Sequence, residues 1–352
     1  MKIFIYTIII LFSLFYFSCK EKYSYSECET ITLNLHNSKA IDIRDSAKYY
    51  IRKIPLELND NSLLTYIDQI EIEGNNIYVY DKHRLIGFDM NGIFLKVIGE
   101  KGLGLGEYTN INSFFLKENN IYVYDDNIQT LFTYDKDGTF IVSKKIKEPM
   151  YSIYAINDNR YIGRKKYQGS KTKVPTMAIL NENLNLISDI KNRYLTSGIS
   201  VFDYCYSFDN SVLYWEFLND TIYSVKKSEI TPIYYVDFQD FKIPLIEKRN
   251  KEIPEIIEYL NSTDSKHATG IRYIQEDVYD IRFIFSFDKK INYARYNKQT
   301  KKISSYYFYD SKNIFEIQYF MKYNDGKIIL SVYNSDDEES NPILFFIDET
   351  KI

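Results

Sequence analysis

Asn75-Asn76-Ile77-Tyr78-Val79-Tyr80-Asp81 is matched residue for residue by Asn119-Asn120-Ile121-Tyr122-Val123-Tyr124-Asp125, about 44 residues further along, which marks a chain built from repeated supersecondary units. The alternating β-branched and aromatic residues of each copy suit a strand. Working outward, each copy is followed by a second apolar run and a turn, Asp89-Met90-Asn91-Gly92 in one and Asp135-Lys136-Asp137-Gly138 in the other. Asn-Gly and Asp-Gly favour hairpins because both central positions tolerate positive φ. Further strands open at once, Ile93 to Ile98 and Thr139 to Ile146. One unit is therefore four short antiparallel strands at a period near 45, the signature of a propeller blade.

Counting innermost strands predicts blade starts near Ile67, Ile111, Ser152, Val201, Asp277 and Phe315. The one overlong interval contains Gln239 to Gly270, with Pro244, Pro254 and the helically spaced Ile253, Ile256, Ile257 and Leu260. Residues 239–270 read as a partly helical insertion between blades 4 and 5. The last blade shows only Ile317 to Lys322, Lys327 to Tyr333 and Ile343 to Ile347, whereas Tyr49 to Leu58 has no blade of its own. Pairing that segment with the last blade closes the ring and removes an exposed edge. The expected fold is all-β: a six-bladed β-propeller of four-stranded antiparallel blades over residues 47–352, closed by an N-terminal strand.

Composition agrees with strands and excludes several functions. The 352 residues include 35 Tyr and 23 Phe beside one Trp, and a hydrophobic share of 45% with 26% charged residues belongs to a folded domain. A net charge of −4 offers no basic surplus to neutralise a phosphate backbone, so nucleic acid is not an expected partner. Three cysteines and three histidines lack metal-ligand spacing.

The N-terminus gives an address. Ile3 to Phe17 is almost wholly apolar and is followed by Ser18-Cys19-Lys20-Glu21. That run is short for a spanning helix, which needs about 20 residues, and suits a signal peptide. The small residue before Cys19 resembles the lipobox of bacterial lipoproteins, with Tyr16 where leucine is usual. The resemblance implies cleavage after residue 18 and a lipid on Cys19, leaving residues 19–46 as a polar tether. The expected location is the cell envelope, anchored to the outer membrane on its periplasmic or outer surface.

Gly102-Leu103-Gly104-Leu105-Gly106-Glu107-Tyr108 resembles the Gly-Arg-Gly-Pro-Gly-Glu-Tyr junction of Bacteroidetes-type six-bladed β-propeller lipoproteins, relatives of the NHL-repeat propellers, with Arg and Pro replaced. Ile54-Pro55-Leu56-Glu57, Asn219-Asp220-Thr221-Ile222-Tyr223 and Asn341-Pro342-Ile343-Leu344 follow in that family's order. The resemblance implies an envelope propeller and no established reaction or ligand.

Chemistry is less legible. The glycine triplet lacks the Lys-Ser or Lys-Thr of a phosphate loop and reads as a blade junction. Asp68, Asn112, Asp203, Asp280 and Glu316 fall where inner strands border the central channel, and together they are the candidate ligands of a divalent cation. Tyr151, Tyr154, Tyr204, Trp215 and Tyr279 are the candidate aromatic platform for a ligand. Asp336 to Glu339 reads as a solvated hairpin tip. The expectation is a lipid-tethered binding or scaffold module rather than an enzyme, its partners the membrane and an envelope protein, peptide or glycan. The alternatives are a metal-assisted hydrolase or lyase at the channel mouth, and a sensor or accessory subunit of a surface uptake or signalling system.

Overall fold

The computed structural model describes residues 28–65, 67–81, 83–156, 159–166, 177–190, 206–208, 211–215, 219–226, 229–244, 255, 258–260, 262, 266–323, 326–334 and 340–352. They form six four-stranded blades, numbered here in chain order. Blade 1 comprises Gln69–Glu73, Asn76–Tyr80, Leu85–Asp89 and Phe94–Ile98, and blade 2 Ser113–Lys117, Asn120–Asp125, Thr130–Asp135 and Phe140–Lys145. Blade 3 is Met150–Ile156, Arg160–Lys165, Met177–Leu180 and Leu186–Ile190; blade 4 is Tyr206–Phe208, Ser211–Tyr214, Thr221–Lys226 and Glu229–Asp237. Thr269–Glu276, Asp280–Phe287, Lys290–Asn297 and Ile303–Tyr309 make blade 5. Blade 6 takes Phe315–Tyr323, Lys327–Asn334 and Ile343–Asp348 from the end of the chain and its outermost strand, Arg52–Pro55, from the beginning. The inner strand of blade 6 packs on that of blade 1, so the ring is closed as the sequence predicts.

The seven-residue repeat has a structural cause at each position. Ile77 and Val79, like Ile121 and Val123, are buried between blades. The last tyrosine of each copy bridges to the next blade: the Tyr80 hydroxyl donates to the Ile111 carbonyl (2.5 Å), and that of Tyr124 to the Met150 carbonyl (3.0 Å). The terminal aspartates cap the following turn at identical offsets. Asp81 Oδ1 accepts from the amides of His83 and Arg84, and Asp125 Oδ1 from those of Asn127 and Ile128. Tyrosine is abundant because it fills the seam while its hydroxyl satisfies a carbonyl there.

The glycine turns differ from the expected two-residue hairpins. Gly92 and Gly138 alone take positive φ, +83° and +75°, while Asp89 Oδ1 and Asp135 Oδ1 cap the amides inside the turn. A register shift follows in each pair of strands. This is the three-residue loop with a glycine bulge.

Residues 29–45 are not a tether. Glu29–Thr32 adds a fifth strand, parallel, to the edge of blade 4, and Lys39–Asp42 does the same for blade 5. Ile31, Leu33, Ile41 and Ile43 are buried there, and Arg44 Nη2 donates to Asp310 at 2.7 Å. The apolar residues alternate at period two, a strand signal that the polar average composition conceals. A short helix, Ser46–Tyr49, leads from this arm to the closing strand.

Blade 5 also begins one strand earlier than counted, at Thr269, so Asp277 lies in its first turn. Of the 239–270 insertion, Gln239–Phe241 is a 3-10 turn and residues 258–260 are helical, whereas 245–254 lie outside the described residues.

Candidate functional site

Every blade has the same connectivity, so the inner strands run in one direction and define two ends of the ring. Asp68 and Asn112 immediately precede the inner strands of blades 1 and 2, Tyr151 is the second residue of that of blade 3, and Glu316 the second of that of blade 6. These residues share the end where inner strands start. Asn112 Nδ2 donates to the Tyr151 carbonyl at 2.5 Å, and Asn110 Nδ2 bridges Asn112 Oδ1 and Asp126 Oδ1, both at 3.1 Å. Lys166 pairs with Asp126 at 3.0 Å, and the Arg164 guanidinium lies 4.4 Å from the centre of the exposed Tyr151 ring. Two predicted residues, Asn112 and Tyr151, thus meet in one polar and aromatic surface.

Among the described residues the other predicted groupings do not come together. Asp280 starts the second strand of blade 5, not the channel wall. Its Oδ2 accepts from Arg282 Nη2 (2.7 Å) and Arg295 Nη2 (2.8 Å), and its Oδ1 from Asn297 Nδ2 (2.9 Å). With its lone pairs so occupied, it is a member of a buried ion network rather than a metal ligand. Arg282 extends that network to Asp277 (2.8 Å) and Glu349 (2.7 Å), and Tyr293 donates to Glu349. Among the described residues no three His, Cys, Asp or Glu side chains come together as metal ligands. Tyr154 and Trp215 are core residues, and Tyr279 is exposed in a turn at the end opposite Tyr151. No platform joins them. Cys19, Asp203, Tyr204 and the run 336–339 lie outside the described residues.

The sequence reading missed an open, cleft-like cavity of about 280 Å³ where blades 4 and 5 meet the N-terminal arm, lined by Glu29, Glu276, Lys226, Ser211, Ser224 and Tyr234. Leu213 and Ile233 supply its apolar wall. Both carboxylates are steadied by neighbouring groups: Glu276 accepts from Lys298 Nζ at 3.0 Å and Tyr234 at 3.1 Å, and Glu29 from Lys301 Nζ at 2.6 Å and from Tyr296. Burial, then the charge of Glu276, pushes the Tyr234 hydroxyl well above its ordinary pKa, so it stays a donor. Burial alone would raise Glu29, but hydrogen bonds from Lys301 and Tyr296 outweigh it and hold the carboxyl below its usual range. Fixed acceptors, hydroxyls and a small apolar wall suit a small polyhydroxylated ligand. Glu29 escaped notice because it sits in the stretch read as tether; its alternation with Ile31 and Leu33 was the available signal.

The profile of a family described as a domain of unknown function, DUF4934, matches residues 28–349. A Bacteroides fragilis chain described as exported is 19% identical, with 90% of this chain and 99% of that one covered and a TM-score of 0.67. A member of the DUF4221 family from Bacteroides vulgatus is 14% identical, covering 84% of this chain and 95% of that one, with a TM-score of 0.53. Such likeness carries the fold alone. No curated protein matches the sequence.

Proposed function

The chain belongs to the DUF4934 family, and on that premise we propose that it is an extracytoplasmic binding module, held at the envelope by lipid on Cys19, whose ligand seat is the cavity between blades 4 and 5. The observation that carries the reading is a polar cavity whose two carboxylates are fixed in place by Lys298, Lys301 and Tyr296, none of which lines it. Preorganised acceptors of this kind serve recognition, because little ordering is left for the ligand to impose. The apolar run before Cys19 supports the address, and the exported description of the B. fragilis relative is consistent with it. The location, in finer terms, is the outer membrane, with an envelope protein, peptide or glycan as partner. A metal-assisted reaction at the channel mouth has less support, since Asp280 is held by two arginines.

Titration calorimetry of the full chain with monosaccharides and amino sugars tests the seat. A ligand is expected whose affinity falls at least about tenfold, or 1.4 kcal/mol, in Glu276→Gln and is unchanged in Glu316→Gln. Binding that ignores Glu276 would move the ligand elsewhere. For the anchor, Cys19→Ala is expected to lose acylation and either leave the membrane fraction or stay unprocessed; normal acylation would end that part of the proposal.

A further inference from the structure

Leu103 and Leu105 are 83% and 88% exposed, the most exposed large apolar side chains among the described residues. They stand on a loop that is rigidly built. Glu100 and Lys101 pair in parallel with Glu107 and Tyr108, and the Gly102 amide donates to the Tyr108 carbonyl at 2.9 Å. Glu107 Oε2 accepts from the Gly104 amide at 2.7 Å, inside the loop. A Cβ on Gly102 would lie 2.0 Å from that carboxylate, so a side chain there would displace Glu107 from its bond to the loop. Nothing in the fold requires leucine beside it.

The position of this loop in the ring indicates what meets it. Tyr134, the penultimate residue of the third strand of blade 2, donates to the Gly106 carbonyl at 2.9 Å. Tyr296, the penultimate residue of the third strand of blade 5, donates to Glu29 at the start of the arm. Loop and arm therefore occupy equivalent rim positions at the same level of the ring, three blades apart and so on opposite sides. Cys28, the first described residue, is nine residue steps from Cys19, a reach of at most about 32 Å. Because the arm enters the ring at that end, a bilayer holding a lipid on Cys19 lies nearest the end that carries the two leucines. Two leucines cannot supply the roughly 1,200 Å² of a specific protein interface, whereas lipid takes exposed apolar side chains without a shaped partner.

We propose that Leu103 and Leu105 are a second membrane contact, entering the headgroup and acyl boundary at the rim opposite the lipid anchor. The inference rests in part on the anchoring read above. It leaves the end that carries Asn112 and Tyr151 facing away from the bilayer.

The test uses the acylated full chain in phosphatidylcholine and phosphatidylglycerol vesicles with bromine-labelled acyl chains. Trp215 is buried and contributes a constant background. Leu105→Trp is expected to shift its emission to the blue and to be quenched, while Tyr151→Trp, exposed at the other end of the ring, is not; adding Leu103→Glu should weaken the quenching. If the acylated protein floats with the vesicles but Leu105→Trp is quenched no more than Tyr151→Trp, the inference is overturned while the anchor stands. If the chain is never acylated yet Leu105→Trp is quenched by added vesicles, the tip contact stands and the anchor falls. A dimer that Leu103→Glu with Leu105→Glu converts to monomer in sedimentation equilibrium would assign the leucines to a second copy and overturn the lipid contact.

Discussion

Asp277 holds the first turn of blade 5 through one carboxylate: Oδ1 accepts from the amides of Tyr279 and Asp280 at 2.8 Å, and Oδ2 from Arg282 at 2.8 Å. Burial opposes ionisation, but those two amides and Arg282 outweigh it and bring the pKa down to about 2. A carboxyl with a lower pKa in the folded state stabilises that state above its unfolded value, near 4, and the contribution is lost as pH falls towards 2. With a side chain 43% exposed, screening limits the contribution to about 1 kcal/mol. Urea midpoints of wild type and Asp277→Asn should therefore differ at pH 7 and converge near pH 2; a constant gap would assign the loss to geometry instead. At this scale the sequence is informative where a residue repeats. The paired tyrosines and aspartates of the seven-residue motif have one role each, twice over. Single residues are harder to place: Tyr154 and Trp215 are core, Tyr151 and Tyr279 exposed, and only strand assignment and facing separate them. Asp280 was misplaced because the inner strand of blade 5 was counted one strand late. Arg282, two residues on and so on the same face of that strand, was the visible hint that its charge had an internal use.

The arm is the element that the sequence concealed and the structure supplies. Its two short strands lie on the edges of blades 4 and 5, where Ile41 packs against Tyr306, Phe308 and Ile43. Parallel pairing at a blade edge needs only a few alternating apolar residues, too few to lift the mean of a polar stretch, and the composition there matches that of a linker. Blade strands were easier to find because turn residues bracket them on both sides. If the arm is a separately opening unit, Ile41→Ala should cost about 2–5 kcal/mol locally. Amide exchange should then accelerate at Lys39–Asp42 and along Ile303–Tyr309, while blades 1 to 3 keep their protection. Faster exchange throughout the ring would show instead that arm and propeller open together. Since Glu29 begins the arm and also lines the cavity, arm opening and ligand binding should compete, and a bound ligand should slow the exchange of the arm.

The ring as a whole depends on the seam where the first and last blades meet. Arg52–Pro55 runs antiparallel to Ile343–Phe346, and Ile54 and Leu56 pack in one cluster with Leu344 and Phe346 of blade 6 and with Ile67 and Ile70 of blade 1. Asn341 latches the same seam: its Nδ2 donates to the carbonyls of Glu57 and Ser62, both at 2.7 Å, and its Oδ1 accepts from the Leu64 amide at 2.8 Å. The Asn-Pro-Ile-Leu motif near the end of the chain is thus part of the closure, which the sequence order suggested without showing the latch. Removing residues 47–58 strips blade 6 of its outer strand and leaves Ile343–Asp348 as an open apolar edge, so that protein should aggregate or lose cooperative unfolding. Asn341→Leu keeps the strand and removes only the latch. Two buried backbone groups, the Ser62 carbonyl and the Leu64 amide, lose their partner, and the expected loss is about 2–4 kcal/mol with a single sharp transition retained. Calorimetry of the two variants separates strand from latch. A deletion protein that melts in one transition at the wild-type temperature would mean that the ring holds without its N-terminal strand, and the interblade tyrosine bonds would then have to carry its cooperativity.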